Sequence, residues 1–323
     1  MSTGTAPIPI TVIGGYLGAG KTTLVNELLR GADGRRLGVV VNDFGELGID
    51  AELLQAALDG GSTTTPSDAT PIVNLANGCV CCTLGDDLRA TLDELVAIRP
   101  SLDHIVIEAS GVADPAVAAA WGTVPGFLRG GVVVLAAADA VMAKSRDRYV
   151  GSEVVRQIAG ADLVIVTKTD LCEQPQVDRV VDWVGTNTDA PVVIAFHGEI
   201  DVDVVLGRRT DTGVAGEPDA EGHAGDSGRY LTWSTRTGTV EADALDAFLD
   251  ALPDGVLRAK GFVDVRDGSG RVHTQLVQVV GRTVSMVATD TSGARGLEVI
   301  GIAGVLDTAA LDALATAHLD PFS

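Results

Sequence analysis

Residues 15–22 constrain the fold of this chain more than any other stretch. They read Gly-Tyr-Leu-Gly-Ala-Gly-Lys-Thr, they follow the apolar run 8–13, and the residues after them have helical periodicity. This is the pattern G-x-x-x-x-G-K-[ST], in which a glycine-rich loop joins a buried strand to a helix and wraps a phosphate group. We therefore predict a strand, a phosphate-binding loop and a helix in this order.

The rest of the N-terminal half alternates apolar, β-branched runs with helical stretches. Such alternation is typical of a mainly parallel sheet flanked by helices. We therefore predict an α/β fold, a P-loop NTPase domain. The predicted strands are 8–13, 37–41, 104–107, 132–137, 163–166 and 192–195, and the predicted helices are 22–30, 86–99, 153–159 and 176–184.

A change of composition divides the chain. Residues 207–228 are rich in Gly and Asp and almost free of apolar side chains, which predicts a flexible acidic linker. We therefore expect a first domain over 1–206 and a smaller α+β domain over 229–323. The second domain is predicted to hold a strand, a helix at 241–251, three or four strands around 261–302 and a helix at 309–318, in this order.

Composition also limits the partners. The formal net charge of −21 excludes a general nucleic-acid binder and argues against docking on an anionic membrane. No apolar run approaches the length of a membrane helix, and residues 1–9 lack the pattern of a signal peptide. Three of the four cysteines are clustered, as expected for free thiols in a reducing compartment. We expect a cytoplasmic protein, and a homo-oligomer is left open.

The glycine-rich loop identifies a nucleotide site. Its backbone N–H groups and the helix N-terminus favour a phosphate, the lysine would reach the β- and γ-phosphates, and the threonine hydroxyl would hold Mg²⁺. We assign nucleotide binding to Gly15, Gly18, Ala19, Gly20, Lys21, Thr22 and Thr23.

Thr167, Lys168, Thr169 and Asp170 directly follow a predicted strand. A carboxylate at Asp170 could accept from the ring N–H and the 2-amino group of guanine, and the lysine stem would pack along the base. Alone, the segment could be a turn with two surface charges. Downstream of a phosphate-binding loop it favours guanine, so we predict that the nucleotide is GTP.

Glu108 and Gly111 lie at the end of the run 104–107. An acid at the end of a buried strand is suited to a nucleotide-bound Mg²⁺ or its water shell. The backbone N–H of Gly111 could then meet the γ-phosphate. We assign catalytic roles to Lys21, Glu108 and Gly111, although an ordinary strand end with a glycine turn would share this local pattern.

Cys79, Cys81 and Cys82 place three thiols within four residues, just before the predicted helix 86–99. Thiolates bind Zn²⁺ and similar ions, and three protein ligands leave a fourth position open for transfer. A structural zinc site and a redox dithiol are the alternatives. Cys172 stands apart and is interpreted as a small buried residue. Asp43 and Glu46, in the loop after the second strand, could contact Mg²⁺ or the transferred metal, or could cap a helix.

Together these motifs resemble the metallocentre-assembly P-loop GTPases, and within them the cobalamin-synthesis W-like (CobW) subfamily. The resemblance is carried by GGYLGAGKTTL, VVNDFGELGID, NGCVCCTL, IEASGVADP and VTKTDL, in that order, and by RAKGFVDV near the C-terminus. The resemblance implies that Cys79, Cys81 and Cys82 bind Zn²⁺ or Co²⁺ and that Glu108 serves the third GTPase motif. The chain has Thr167 where the family's guanine motif has Asn, and Asp43 where the family usually has Glu.

The resemblance implies a GTP-dependent metallochaperone that delivers Zn²⁺ or Co²⁺ to a client metalloprotein and hydrolyses GTP slowly to GDP and phosphate. Three alternatives remain from the sequence. One is a zinc-stapled guanine-nucleotide sensor or scaffold, in which the cysteines only hold structure. Another is an activator of a nitrile-hydratase-like metalloenzyme. The third is a P-loop kinase for a small molecule, against which the segment 167–170 argues.

Overall fold

The computed structural model describes residues 7–32, 34–41, 72–74, 102–195, 199–208, 228–290 and 294–319. These residues divide into two compact units, one comprising Ile8–Val205 and the other comprising Pro7 and the described residues from Leu206 onward. Both predicted folds are confirmed, a mainly parallel sheet flanked by helices and a smaller α+β unit. The predicted helix 86–99 and nearly all of the predicted linker lie outside the described residues.

The first unit contains seven described strands and six described α-helices. The strands are β1 (Ile8–Gly15), β2 (Leu37–Val41), β3 (Ile72–Asn74), β4 (His104–Glu108), β5 (Phe127–Ala137), β6 (Leu163–Thr167) and β7 (Val192–Ile194). The helices are α1 (Lys21–Arg30), α2 (Pro115–Ala119), α3 (Val141–Ser145), α4 (Gly151–Ala159), α5 (Gln174–Gly185) and α6 (Val202–Leu206), with 3₁₀ turns at Ala120–Thr123 and Thr169–Leu171.

All seven strands are parallel, in the order β3-β2-β4-β1-β5-β6-β7. After β1 the chain forms β2 and β3 on one side of it and inserts β4 between β2 and β1. It then forms β5, β6 and β7 on the other side of β1. Strand β1 is therefore where the strand order reverses, and in open α/β sheets a ligand binds at the carboxyl ends of the strands beside that point. The phosphate-binding loop leaves β1 at this end of the sheet.

A buried threonine in the middle of β1 joins β1 to both of its neighbours. The register between β1 and β5 shifts between Ile10 and Val12, so that Gly130 and Gly131 both lie opposite Thr11. Thr11 Oγ1 donates to the carbonyl oxygen of Gly130 at 3.1 Å and lies 2.9 Å from His104 Nε2 on β4. Because Thr11 donates its hydroxyl proton to the carbonyl oxygen of Gly130, Nε2 of His104 is the donor in the contact with Thr11. A Cβ at residue 130 would lie 2.7 Å from the carbonyl oxygen of Ile10, which explains the glycine there.

The second unit contains a six-stranded sheet with two helices. Strands β8 (Tyr230–Arg236), β9 (Thr239–Glu241), β10 (Val256–Arg266), β11 (Val272–Val280), β12 (Thr283–Thr289) and β13 (Gly296–Ile302) pair in the order β12-β11-β10-β13-β8, and β9 adds to β10. Helices α7 (Ala242–Asp250) and α8 (Thr308–His318) contribute Phe248 and Leu311 to its core. The indole N–H of Trp233 donates to Asp312 at 2.8 Å and so ties β8 to α8.

Several predicted boundaries differ from those observed by one to five residues. Strand β5 begins at Phe127 rather than at residue 132, because its first residues pair with the start of β1. The short elements β3, α2, α3 and α6 were not predicted, since three to five residues carry too little periodicity. No helix within the described ranges is both long and apolar enough to cross a membrane.

We predict that Thr11→Val lowers the free energy of unfolding by about 1–3 kcal/mol, because it removes one hydrogen bond from a buried carbonyl oxygen and one from a buried imidazole. The measurement is urea denaturation at neutral pH. Thr186→Val is the control, because the Thr186 hydroxyl is exposed and bonds only to residues close in sequence, donating to Trp183 and accepting from Asn187. Equal effects of the two substitutions would contradict the proposed role of Thr11.

Candidate nucleotide site

The backbone of the phosphate-binding loop requires glycine at three positions. Gly15, Gly18 and Gly20 have φ of 131°, 78° and 98°, a region that other L-residues rarely enter. At Gly15 an added Cβ would also lie 2.7 Å from the carbonyl oxygen of Leu135. At Gly18 and Gly20 an added Cβ would meet no heavy atom within 4 Å, so the space around the loop is open and conformation alone selects glycine. This geometry matches a cradle for a phosphate.

The two residues that open α1 present their polar groups beside this cradle. Lys21 is buried, and its Nζ donates to the carbonyl oxygen of Gly15 at 3.0 Å, so the side chain folds back along the loop. Thr22 Oγ1 donates to Glu108 Oε1 at 2.9 Å. Thr23 is exposed in the same turn. The loop therefore brings a cation and a hydroxyl to one end of the sheet.

The pair of Thr22 and Glu108 joins the loop to the end of β4. Glu108 is 4% exposed and lies on the strand next to β1, so parallel pairing places it opposite Ile13. A hydroxyl and a carboxylate are hard oxygen donors of the kind that Mg²⁺ binds. The donor set therefore fits Mg²⁺ bound together with a nucleotide.

The loop after β4 contacts the phosphate-binding loop directly. A Cβ on Gly111 would lie 2.6 Å from Leu17 Cδ2 and 2.8 Å from the backbone nitrogen of Leu17, so only glycine fits. A turn from Ser110 to Ala113, closed by a 2.9 Å backbone hydrogen bond, holds Gly111 in this position. Gly111 thus forms a direct packing contact between the two loops.

Gln157 on α4 is a site residue that the sequence analysis missed. It is 1% exposed, and its Nε2 donates to the carbonyl oxygens of Gly111 at 3.2 Å and Ala113 at 2.8 Å. A single buried amide therefore fixes the backbone of the loop after β4. The available signal was a polar residue in the buried stripe formed with Val154 and Ile158.

Thr167 joins the predicted guanine-recognition segment to the phosphate-binding loop. Its Oγ1 donates to the carbonyl oxygen of Ala19 at 2.8 Å, so threonine provides a direct hydrogen bond between the two motifs. Lys168 has φ 56°, and its Nζ lies 3.8 Å from Asp139 Oδ2. Thr169 Oγ1 donates to Ala195 at 3.0 Å, and Asp170 is exposed.

Lys144 on α3 is a second cation that the sequence left without a role. Its Nζ lies 5.6 Å from the centre of the Tyr16 ring, within range of a cation–π interaction. Lys144, Lys168 and Gln157 line one small cavity of about 80 Å³ against the phosphate-binding loop. The aromatic ring therefore holds a second ammonium group close to the loop.

Cys172 behaves as expected for a structural residue. Burial, together with the negative charges of Asp139 and Asp170, raises the pKa of its thiol. A thiol with a raised pKa stays protonated at neutral pH and is a poor metal ligand. Cys172 is partly buried rather than fully buried as predicted, and it packs against the core of the first unit.

The predicted metal ligands Cys79, Cys81 and Cys82, as well as Asp43 and Glu46, lie outside the described residues. Among the residues that are described, no group of three His, Cys, Asp or Glu side chains could hold a metal ion. The assignment of the metal site therefore remains a prediction from the sequence.

Comparison with known proteins identifies the class and then the family. Residues 9–193 match the CobW/HypB/UreG nucleotide-binding domain, and residues 232–318 match the cobalamin synthesis protein CobW C-terminal domain. The chain belongs to the CobW/HypB/UreG family, which is a family of metallochaperone P-loop GTPases. The predicted family, GTPase class and fold are thereby confirmed.

Curated relatives cover the chain to different extents. A protein named zinc chaperone CobW from Sinorhizobium sp is 34% identical, over 96% of this chain and 97% of its own length. A zinc chaperone CobW from Pseudomonas aeruginosa is 33% identical, over 86% of this chain and 81% of its own. A zinc-regulated GTPase metalloprotein activator from Schizosaccharomyces pombe is 30% identical, over 60% of this chain and 47% of its own.

We predict that Thr167→Val weakens GTP binding by about tenfold, because the carbonyl oxygen of Ala19 loses its hydrogen bond and the guanine segment loses its connection to the loop. Thr167→Ser keeps the hydroxyl and should bind GTP within about twofold of the wild type. The measurement is titration with a fluorescent GTP analogue. If valine binds as tightly as serine does, the 2.8 Å contact has no role in nucleotide binding.

Proposed function

We propose that this protein is a zinc metallochaperone in which binding and hydrolysis of GTP control the delivery of a metal ion to a client metalloprotein. The observation that carries the proposal is the Thr22–Glu108 hydrogen bond, which places the first turn of α1 beside the acid at the end of β4. Support for the metal comes from the relatives, which are named zinc chaperones, and from the cluster of Cys79, Cys81 and Cys82.

GTP would bind along the carboxyl ends of β1 and β6. The open cradle at Gly18 and Gly20 suits the phosphates, with Lys21 as the buried cation beside them. Asp170 would read the guanine base from a turn that Thr169 anchors to Ala195. The hydrogen bond between Thr167 and Ala19 joins the segment that would hold the base to the loop that would hold the phosphates.

Thr22 and Glu108 would hold Mg²⁺, which when bound neutralises charge on the β- and γ-phosphates. Lys21 would place a further positive charge beside the phosphoryl group that is transferred, and so stabilise its negative charge. Gly111 would offer its backbone N–H to the γ-phosphate, and Gln157 keeps the backbone on either side of it in place. The chain's own residues therefore act mainly by positioning and by electrostatic stabilisation.

The cargo ion would bind to Cys79, Cys81 and Cys82. Three thiolates suit Zn²⁺, and a fourth coordination position would be left for transfer to the client. Co²⁺ could use the same ligands, since the thiolates do not by themselves discriminate between the two ions. The relatives' names favour zinc as the cargo.

Metal affinity and nucleotide state would be coupled through the loops around Asp43 and Cys79–Cys82. GTP would order these loops and gather the thiolates, and hydrolysis would loosen them and release the ion. Linkage makes the coupling reciprocal, so a bound metal ion must raise the affinity for GTP relative to GDP. The release of metal would in this way follow the loss of the γ-phosphate.

Asp170→Asn should weaken GTP binding by about 10- to 100-fold, because the carboxylate that accepts two guanine hydrogen bonds becomes an amide that also carries donors. The same variant should gain affinity for xanthosine triphosphate, whose 2-oxo group accepts a hydrogen bond. Competition titration with both nucleotides measures the change. Asp189→Asn, at an exposed residue, is the control and should change neither affinity. Unaltered GTP binding by Asp170→Asn would refute the guanine assignment.

Cys81→Ser should weaken Zn²⁺ binding by about 100-fold or more, since the loss of an outer-shell partner alone costs 10- to 100-fold. Nucleotide binding should remain measurable. Cys172→Ser is the matched control, and it should bind Zn²⁺ as the wild type does because its thiol is not a ligand. Zinc titration against a competing chelator measures both affinities.

The coupling is tested by measuring GTP and GDP affinity with and without Zn²⁺. The wild type should show a higher ratio of GTP to GDP affinity when zinc is present, and Cys81→Ser should show no zinc effect. A ratio that zinc leaves unchanged in the wild type would overturn the coupling. Loss of cooperative unfolding on chelation would instead indicate a structural zinc site and a scaffold.

A further inference from the structure

Strand β12 forms one edge of the sheet in the second unit. Among the described strands it pairs only with β11. Its seven residues, Thr283–Thr289, read TVSMVAT and include no charged residue, proline or glycine. Val284 and Met286 are 39% and 42% exposed, and Ala288 on the same face is exposed as well. The strand therefore combines a sheet edge with an apolar stripe in solvent.

Such an edge is unusual in a natural protein. Exposed edges are normally protected by lysine, proline, a bulge or an inward-pointing charge, because an unprotected edge can pair with another strand. The opposite edge strand, β8, carries Arg236 at its end, whereas β12 carries none of these devices within its length. The sequence of β12 is thus suited to pairing.

The strand is complementary to itself when two copies run antiparallel about a two-fold axis at Met286. Val284 then lies opposite Ala288 of the other copy, and Met286 lies opposite its own equivalent. Residues that are directly opposite in an antiparallel pair lie on the same face of the sheet. The exposed apolar stripe of one copy would therefore continue into that of the other, while Ser285 faces Val287 on the reverse face.

The charges that flank β12 match in the same register. Arg282 comes directly before the strand and Asp290 directly after it, and pairing about Met286 places each opposite the other in the second copy. Both residues are exposed. The ion pair of Arg282 with Asp254, at 3.6 Å, has side chains that are 75% and 93% exposed, so little holds Arg282 there. The two-fold axis would therefore produce two pairs of opposite charge in each dimer, each between Arg282 of one copy and Asp290 of the other.

We propose that β12 is a self-association edge through which two copies of this chain pair antiparallel about Met286 and form one continuous sheet. A contact made by one edge strand from each copy is smaller than a standard interface, so the dimer is reversible and depends on concentration. The uncharged strand is also a place where two chains of net charge −21 can meet with little local repulsion.

Charge reversal tests the register. In Arg282→Asp and in Asp290→Arg, two attractive pairs become repulsive, so the dissociation constant of the dimer should rise by about tenfold in each single variant. The double variant restores opposite charges and should return to within about threefold of the wild type. Sedimentation equilibrium at about 0.15 M ionic strength gives the constants. A wild type that stays monomeric at its highest soluble concentration, or a double variant no tighter than the single ones, overturns the proposal.

A disulfide trap tests the position of the axis. In Met286→Cys the two new thiols would face each other with Cα atoms about 5 Å apart, within the range of a disulfide. In the matched control, Val284→Cys, on the same exposed face, the two thiols would lie about 14 Å apart. Diamide oxidises each pair of thiols to a disulfide and is itself reduced to the hydrazine. Mass spectrometry should find two copies of the tryptic peptide 283–295 joined through Cys only for Met286→Cys, and equal crosslinking in the two variants overturns the register.

Discussion

The turn by which the chain leaves β1 and enters α1 is the constraint on which the rest of the first unit depends. Three glycines at positive φ allow the backbone to reverse within five residues. The same reversal starts α1 at Lys21 and aims the helix N-terminus at the open space beside the loop. Because β1 lies where the strand order reverses, this space is also where the ends of neighbouring strands meet.

Three other elements are fastened to this turn by contacts of different kinds. Glu108 at the end of β4 accepts a hydrogen bond from Thr22, and Thr167 at the end of β6 donates one to Ala19. Gly111 packs directly on Leu17, and Gln157 fixes the loop that carries it. Within the part of the chain that the structure describes, each motif that would meet base, phosphate or Mg²⁺ is thus within one hydrogen bond or one van der Waals contact of the loop. Such a connected set is one physical route by which nucleotide state can be coupled to distant loops.

The sequence predicted the parts of this arrangement that depend on local spacing or on strand order. The spacing of the glycines in residues 15–22 specifies the conformation of the loop. Glu108 could be placed near this loop because the carboxyl ends of parallel strands lie at one edge of the sheet. The stripe of α4 marks Gln157 as a buried polar residue, but its partners, like the Lys144–Tyr16 pair, could not be predicted, since these contacts join residues distant in sequence through a packing that only the folded chain defines. The double-glycine shift opposite Thr11 was missed for the same reason. The cysteine cluster was recognised by type and spacing alone, and its geometry lies beyond the described residues.

The distribution of positive charge follows from the same arrangement. The chain has a net charge of −21, so an anionic nucleotide is repelled at long range and must be held by cations close to it. Three of the four lysines, Lys21, Lys144 and Lys168, lie at or beside the phosphate-binding loop. Several arginines instead form exposed ion pairs with nearby acids, as Arg36 does with Asp103 and Arg156 with Glu153. The compact ammonium group is thus concentrated at the anion site, while the guanidinium is used for carboxylates at the surface, where Arg36 donates to both oxygens of Asp103.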